Sequence, residues 1–360
     1  MPDETSVQEP TAATTAATTA ATTAAPPEDP DASWAAAARL WLVVVVFVAV
    51  GAARSIQVGV PFRDPHGAFL LTRLALTVGI ATGLVVLDGL VRAGRPVAVR
   101  RVLRVVRDRW TPRRTALAVA ALLAYHLTYF TYHNLKSWNS FNVLRDRMLL
   151  RWDRGLFLGN SPAVVLHDLL GQHLAARVLM VWYETFPTLV VLAFPAAVVL
   201  ASRVRDAYAA IASLVWVWIL GTASYYAIPT LGPFAAAPRD FAGLPHTMIQ
   251  DTQARYLAER AHLLADPSAA GAFAQVAAFA SLHVAVTTGI LGIAWWHRLR
   301  RTTIALSVFL AGTLVATVYL GWHFAVDDVA GLAIGAAAWW LGPRTVGVHR
   351  RPPEPARSAS

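Results

Sequence analysis

The chain of 360 residues contains no cysteine. Disulfide bonds, thiol nucleophiles and cysteine-ligated metal sites are therefore excluded, and the redox compartment stays open. Charge is also scarce, because 14% of the residues are charged whereas a soluble domain usually carries about one-quarter. Hydrophobic residues make up 56% of the chain, and the mean hydropathy is +0.48. Several apolar runs of roughly 18 residues or more indicate an all-α, polytopic membrane protein.

Acidic residues are fewer than basic ones, 21 against 31, and the isoelectric point is about 10.6. Such an excess can indicate a nucleic-acid partner. Here, however, the basic residues lie between apolar runs and not on one soluble face. The preference of Lys and Arg for the cytoplasmic side of a membrane explains this placement better. We therefore expect membrane lipids as partners and no nucleic acid.

The apolar runs predict eight membrane spans. They cover residues 34–53, 67–91, 115–133, 176–201, 207–227, 277–297, 303–320 and 324–342. Arginines cluster in every second connection, which predicts that both termini are cytoplasmic in the cell membrane. The connections 134–175 and 228–276 should then face the extracytoplasmic side. The expected outer aromatic belt consists of Trp182, Tyr183, Tyr225, Tyr226, Tyr319 and Trp322.

Both long outer connections are expected to carry structure, because ordered loops of such length usually serve function. Residues 134–175 include an amphipathic segment that could lie flat on the membrane. Residues 247–265 have a helical pattern. Together the two connections would cover one face of the bundle.

Composition divides the chain into four parts. Residues 1–33 are of low complexity and rich in Ala, Thr and Pro, which is typical of a disordered tail. Residues 34–119 hold the first helices and an Arg-rich cytoplasmic connection, and residues 120–342 hold the candidate catalytic membrane domain. Residues 343–360 are expected to form a second disordered cytoplasmic tail.

Two histidines, His283 and His323, each stand near the start of an apolar run. One run leads away and the next returns, so both histidines should lie at the same membrane face. Asp327 follows His323 by four residues, so that on a helix its carboxylate can orient the imidazole. An oriented histidine can attack phosphorus while a second histidine protonates the leaving group. The positive helix N-termini would also favour a phosphate, to which Ser281 could donate a hydrogen bond.

Two plainer interpretations compete with this one. Single interfacial histidines are usually satisfied by water, but ionisable residues inside membrane spans are costly and mark functional sites by default. Two histidines and one aspartate can also bind zinc. The sequence contains no HExxH pattern for such a site, and we expect neither a metal nor a cofactor. His126 and His133 are either core residues or part of the site.

The same residues resemble the type 2 phosphatidic acid phosphatase (PAP2) superfamily, whose three motifs are K-x6-RP, SGH and SR-x5-H-x3-D. Residues 281–283 read SLH, with Leu282 in place of the glycine. His323 and Asp327 match the end of the third motif, although Ala and Thr at 316–317 replace Ser and Arg. The SLH form is similar to the inositolphosphotransferase branch, of which inositol phosphorylceramide synthase is typical. The resemblance implies a bundle with a six-helix core and assigns catalysis to His283, His323 and Asp327.

The first motif is the poorest match. Residues 225–233 keep its spacing and Pro233, but Tyr225 replaces the lysine and Gly232 the arginine. Another cation must then neutralise the phosphate. The outer-face candidates are Lys136, Arg145, Arg147, Arg151 and Arg239, of which Lys136 is favoured. The expected substrate-binding residues are Ser281, Lys136, Arg145, Tyr225 and Pro233.

The resemblance implies an integral membrane phosphotransferase that acts on a phospholipid or isoprenoid phosphate through a phosphohistidine at the outer face. A lipid-phosphate or polyprenyl-pyrophosphate phosphatase is the nearest alternative. Leu282 and Gly232 make the site more apolar than the motifs would, which favours a phosphodiester and transfer over hydrolysis. A transporter or non-catalytic membrane protein is an alternative of another class, but the sequence has no repeated halves with broken helices.

Overall fold

The computed structural model describes residues 34–95 and 97–348, and this part of the chain is helical without any β-strand. The first expected tail, residues 1–33, lies wholly outside the described residues, and so do residues 349–360 of the second expected tail, 343–360. The helices are α1 (Trp34–Val58), α2 (Leu71–Ala93), α3 (Val99–Arg109), α4 (Pro112–Trp138), α5 (Asp146–Leu156), α6 (Pro162–Leu170), α7 (Leu174–Glu184), α8 (Phe186–Val199), α9 (Val204–Ala227), α10 (Pro233–Ala236), α11 (Met248–Ala265), α12 (Leu282–Trp296), α13 (Arg300–Tyr319) and α14 (Ala325–Thr345). The all-α prediction is confirmed.

Six helical segments among the described residues are long and apolar enough to cross a membrane. They are Trp34–Val58, Pro65–Ala93, Pro112–Phe141, Leu174–Val199, Val204–Ala227 and Arg300–Tyr319. Two of the eight predicted spans are not among them. The run 277–297 yields only the 15 residues of α12, because residues 273–281 are not helical, and α14 opens on two buried aspartates. The two helices that carry the candidate site thus fall short of a membrane span for different reasons, α12 by its length and α14 by its buried aspartates.

Helix α9 lies at the centre of the bundle and packs against α4, α8, α12 and α14. Small residues allow the close approach, as is usual where helices pack inside a membrane. A Cβ at Gly342 of α14 would lie 2.4 Å from the backbone nitrogen of Ser213 of α9. A Cβ at Gly335 would lie 2.5 Å from the carbonyl oxygen of Ala285 of α12. Backbone contact between these helices therefore positions the residues that begin α12 and α14.

Helix α13 is antiparallel to α12 and to α14, and short turns join the three helices. The starts of α12 and α14 consequently meet at one end of the bundle. The backbone nitrogen of Ser281 donates to the carbonyl oxygen of Asp327 at 3.0 Å. The ring centroids of His283 and His323 are 6.0 Å apart. The prediction that both histidines lie at the same end is confirmed.

The two long connections lie at this same end. The first holds α5 and α6, two short helices where the sequence suggested one amphipathic segment. The second holds α11, which begins after the N-cap Thr247 and ends at Ala265, as the pattern predicted. Asp153 of α5 accepts hydrogen bonds from the backbone nitrogens of Ala325 and Val326 at 2.8 and 3.0 Å. The connection 134–175 thereby caps α14 directly.

The Arg-rich helix α3 lies at the opposite end of the bundle. Arg109 donates to the carbonyl oxygens of Val199 and Ala201 at 3.2 and 2.8 Å, and Arg114 also reaches that of Ala201 at 2.6 Å. These carbonyls end α8, whose first residue, Phe186, contacts His283 at the site. Arginines therefore bind the helix C-terminus farthest from the histidines, where a positive charge is favourable.

The expected tail 343–360 begins too early. Helix α14 continues to Thr345, and Val346 is 4% exposed in the core. The hydroxyl of Thr345 accepts a hydrogen bond from the indole of Trp216 at 2.8 Å. Pro343 lies inside this last part of the helix.

We expect the site end of the bundle to face the outside, because the arginines gather at the other end. A cysteine at exposed Asn160, between α5 and α6, should react with a membrane-impermeant maleimide in intact cells. A cysteine at exposed Arg104, in α3, should react only after permeabilisation. The native chain has no cysteine to obscure either result. Labelling of the Arg104→Cys variant alone in intact cells would reverse the orientation.

Candidate active site

His323 and Asp327 form a buried pair at the start of α14. The Nδ1 atom of His323 lies 3.4 Å from Oδ2 of Asp327, and their side chains are 6% and 0% exposed. The same carboxylate oxygen accepts a hydrogen bond from the backbone nitrogen of Phe324 at 3.0 Å, which holds it in place. With Nδ1 directed at the carboxylate, Nε2 is the nitrogen left with a free electron pair.

Burial lowers the pKa of His323 to about 4, and the positive charge of Lys136 acts in the same direction, while Asp328 opposes both. The imidazole is therefore neutral at physiological pH. A neutral imidazole can act as a nucleophile, whereas an imidazolium cannot.

His283 opens α12 and stands opposite His323. Its ring stacks on Tyr183, with centroids 4.3 Å apart, and contacts Phe186 at 4.2 Å. Both aromatic residues lie where α7 ends and α8 begins, and Pro187 follows at the start of α8. The break between α7 and α8 therefore shapes the wall behind His283. The ring centroids of the two histidines are 6.0 Å apart, so both imidazoles face the same space.

The two histidines line a cavity of about 330 Å³. Helices α4, α7, α8, α9, α11 and α12 contribute its walls. Three charged residues line it, namely Lys136, Glu184 and Arg255. The Nζ of Lys136 lies 5.9 Å from the ring centroid of Tyr225, whereas the side chain of Arg255 is 61% exposed. Lys136 is thus the cation enclosed with the histidines, and Arg255 lies at the rim.

The sequence profile of the PAP2 superfamily matches residues 147–341. The match covers more than half of the chain, and both histidines and Asp327 fall within it. The chain belongs to the PAP2 superfamily. Members of this superfamily are generally phosphatases or phosphotransferases, so membership supports a lipid phosphatase or phosphotransferase type of function. Searches of curated proteins and of solved structures gave no match.

The backbone explains why the PAP2 first-motif arginine is missing. Gly232 has a φ of +110°, a conformation that side chains rarely adopt. A Cβ at this position would lie 2.6 Å from the carbonyl oxygen of Trp322, the residue before His323. Because α10 packs directly beneath the histidine turn, no side chain fits at 232. The backbone nitrogen of Phe234 also donates to the carbonyl oxygen of Gly321 at 3.0 Å.

The second motif of the superfamily has leucine in place of its glycine, and a glycine on α9 makes room for that leucine. Leu282, which replaces its glycine, is 5% exposed and packs against Gly221 of α9. A Cβ on Gly221 would lie 2.2 Å from a methyl carbon of Leu282. In the third motif, Thr317 replaces the arginine and donates to Oδ2 of Asp328 at 2.8 Å. The buried Thr317–Asp328 hydrogen bond thus stands where the motif has an arginine that could reach substrate.

Among the expected substrate-binding residues, Lys136 and Tyr225 line the cavity, but Arg145, Pro233 and Ser281 do not. Arg145 is exposed, and its backbone nitrogen bonds the carbonyl oxygen of Pro229 at 2.8 Å. Pro233 is buried as the first residue of α10. Ser281 is 0% exposed beneath the start of α12. Proximity in sequence to the motifs was misleading for these three, because their backbone positions turn them away from the cavity.

The helix N-termini are less available to an anion than expected. Asp153 occupies the amides of Ala325 and Val326, and Asp327 occupies that of Phe324. The oxygens of these two side chains therefore already satisfy three of the free amides at the start of α14. Of the two helices, only α12 can still present amides to a phosphate.

The expected outer aromatic belt is wrong for most of its members. Tyr225, Tyr319 and Trp322 are buried, with 2%, 0% and 8% exposure. Tyr183 stacks on both His283 and Trp322. Rings that the hydropathy pattern placed at the lipid surface therefore form the walls of the cavity and its supports.

Sequence reasoning missed Tyr183, Glu184, Phe186 and Arg255 as cavity residues and left His133 undecided. They come from helix ends and from the connection 228–276, where no motif marks them. The only indication in the sequence was the expectation that the 228–276 connection covers the face of the bundle where the histidines lie. Among residues 34–95 and 97–348, no group of three or more His, Asp or Glu side chains is arranged to hold a metal ion.

Proposed function

We propose that the protein transfers a phospho-head group from a lipid phosphodiester to an alcohol, through a covalent phosphohistidine on His323. The observation that carries the proposal is the buried His323–Asp327 pair facing His283 across one cavity. This arrangement supplies a nucleophile, a group that orients it and a proton donor. We place the reaction at the extracytoplasmic face of the cell membrane, as the distribution of arginines favours.

In the first step Nε2 of His323 attacks phosphorus, and the bond from phosphorus to the leaving lipid oxygen breaks. With the phosphodiester anion bound beside it, His283 carries a proton, which it gives to that oxygen. In the second step an acceptor hydroxyl attacks the phosphohistidine and passes its proton to His283. The phosphorus–nitrogen bond then breaks, which returns both histidines to their starting states. Asp327 holds the imidazole of His323 in one tautomer throughout.

The charge in the cavity favours a phosphodiester. Besides the proton that His283 carries in the first step, two cations and one carboxylate line it, namely Lys136, Arg255 and Glu184, for a formal sum of +1 that remains once that proton has been transferred. A phosphodiester carries one negative charge, whereas a phosphate monoester carries up to two near neutral pH. The first-motif arginine is absent because no side chain fits at Gly232. A monoanionic donor, as the inositolphosphotransferase branch would use, therefore matches the cavity better than phosphatidic acid does.

Partition between transfer and hydrolysis tests the proposal. Purified protein should convert labelled phosphatidylinositol to a transferred product when a long-chain alcohol is supplied, and transfer should exceed release of free head group. Phosphatidic acid and a prenyl pyrophosphate serve as competing substrates. Rapid release of inorganic phosphate from either, undiminished by added alcohol, would instead make the protein a phosphatase.

Lys136→Met is expected to lower kcat/KM by about 10²–10³, because it removes the enclosed cation that faces developing charge on phosphorus. Lys136→Arg should recover part of the loss. Arg147→Met is the matched control, since Arg147 is an exposed cation of α5 outside the cavity. Turnover of Lys136→Met within about twofold of the native rate would remove this residue from the site.

A further inference from the structure

His133 is a buried histidine that the phosphoryl-transfer scheme does not use. It is 8% exposed and lines the same cavity as His283 and His323. Neither of its ring nitrogens has a hydrogen-bond partner among the described residues. Since a buried polar group left without a partner costs free energy, both nitrogens call for a ligand.

Two other buried histidines differ in this respect. Nε2 of His126 lies 3.0 Å from the hydroxyl of Thr77, and its Nδ1 lies 2.8 Å from the carbonyl oxygen of Leu122. Nε2 of His167 lies 2.9 Å from the carbonyl oxygen of Tyr319. Those two side chains are satisfied by the protein and lie outside the cavity. His133 alone among these three has unsatisfied ring nitrogens and lines the cavity.

Aromatic rings hold the imidazole of His133 in place. Phe69 stacks on it with centroids 4.0 Å apart and planes 21° from parallel. Tyr129 and Tyr132 meet it edge-on at 4.5 and 4.7 Å. With its faces covered in this way, the ring can interact with a ligand chiefly through its nitrogens.

The chemistry around His133 suits an uncharged hydroxyl better than a second phosphate. Lys136 lies one helical turn further along α4 and lines the same cavity, so a second positive charge beside it is unfavourable. Neutral imidazole offers one donor and one acceptor, and so does the phenol of neighbouring Tyr129 or Tyr132. A hydroxyl group needs that combination, whereas a phosphate oxygen needs donors only.

We propose that His133 is a specificity-determining residue that binds a hydroxyl of the transferred head group or of the acceptor alcohol. This inference rests on the proposed function. It places the hydroxyl-bearing part of the substrate against α4, with phosphorus between the two catalytic histidines. The cavity of about 330 Å³ lies at the lower end of the range for ligand pockets, roughly 300–1,000 Å³, and is larger than one phosphate requires.

Paired substrates and paired variants test the inference. We would measure kcat/KM for phosphatidylglycerol and phosphatidylinositol, whose head groups carry hydroxyls, relative to phosphatidylcholine, whose head group carries none. His133→Phe keeps the stack on Phe69 but removes the hydrogen bonds, so it should lower this ratio by about tenfold. His133→Gln keeps a donor and an acceptor and should retain most of the preference. His126→Phe, the control, should lower thermal stability without changing the ratio.

The two sources of the hydroxyl are separated by a second arm. Phosphatidylcholine, whose head group carries no hydroxyl, is supplied as donor with glycerol as acceptor, and the KM for glycerol is measured. A rise in that KM in His133→Phe, with the donor ratio unchanged, assigns the hydroxyl to the acceptor. Unchanged donor ratio and unchanged glycerol KM together would overturn the inference.

Binding without turnover keeps this test independent of the catalytic scheme. In detergent micelles, calorimetric titration of the His323→Ala protein with phosphatidylinositol and phosphatidylcholine should show tighter binding of the first. The preference should disappear when His133→Phe is added. The protein with native His133 could show this binding preference and the His133→Phe protein lack it, while no turnover is detected. That result would support the assignment of His133 and contradict the transfer scheme. Equal binding of both lipids, together with unchanged ratios and KM in the turnover arms, would overturn the assignment.

Discussion

Replacement of His323 by Ala is expected to abolish turnover, with a fall in kcat of at least about 10⁴, the scale seen when a nucleophile is removed from a catalytic triad. The reason is positional. Nδ1 faces Asp327 at 3.4 Å, which leaves Nε2 to attack, and His283 across the cavity has no carboxylate partner among residues 34–95 and 97–348. Turnover of a labelled lipid phosphodiester in detergent micelles measures the effect.

Quenching with a denaturing detergent at neutral pH gives this prediction a second measurement. The native protein should retain label from the head group as an acid-labile adduct, and the His323→Ala protein should retain none. His167→Ala is the matched control, because His167 is equally buried but bonds only the carbonyl oxygen of Tyr319. It should alter thermal stability and leave the adduct in place. Retention of more than about one-hundredth of native turnover in His323→Ala would contradict the scheme.

Asp327→Asn is expected to lower kcat by about 10⁴ while the fold is kept, as for the corresponding change in a serine-protease triad. An amide at this position can donate to Nδ1, which would place the proton of His323 on Nε2 and block attack. The carboxylate is 0% exposed, so water cannot replace it. Steady-state kinetics and thermal unfolding of the same preparation separate catalysis from stability.

Asp328→Asn is the neighbouring control. Asp328 is 4% exposed and accepts a hydrogen bond from Thr317 at 2.8 Å, so its loss should act mainly on stability. A larger loss of kcat in Asp328→Asn than in Asp327→Asn would reassign the orienting role. Proton nuclear magnetic resonance of the imidazole signals would show which nitrogen of His323 carries hydrogen in each variant.

The catalytic pair could be predicted from sequence because its geometry is local. His323 stands two residues before α14, Asp327 lies in the first turn of that helix, and His283 is brought beside them by two adjacent hairpins. Such relations follow from helical periodicity and from the length of a membrane span. The all-helical fold followed from composition for the same reason.

The rest of the cavity depends on contacts between helices distant in sequence. The break between α7 and α8, which sets Tyr183 against His283, falls inside a run that reads as one continuous span. Asp153 caps α14 although it lies 172 residues before Ala325 in the chain. The sequence around Asp153 therefore could not reveal that it caps this helix. Hydropathy likewise cannot distinguish an aromatic ring that faces lipid from one that lines a cavity inside the bundle, such as that of Trp322.

The interlocking of Leu282 with Gly221 changes what an alignment of PAP2 proteins should reveal. In this chain the space that the second-motif glycine would leave is taken by leucine, and the room for that leucine comes from a glycine on α9. Residue sizes at the two positions should therefore covary, with a small residue at 221 wherever 282 is large. A search pattern that demands glycine at 282 would reject chains of this type, whereas one that scores the summed volume of both positions would retain them.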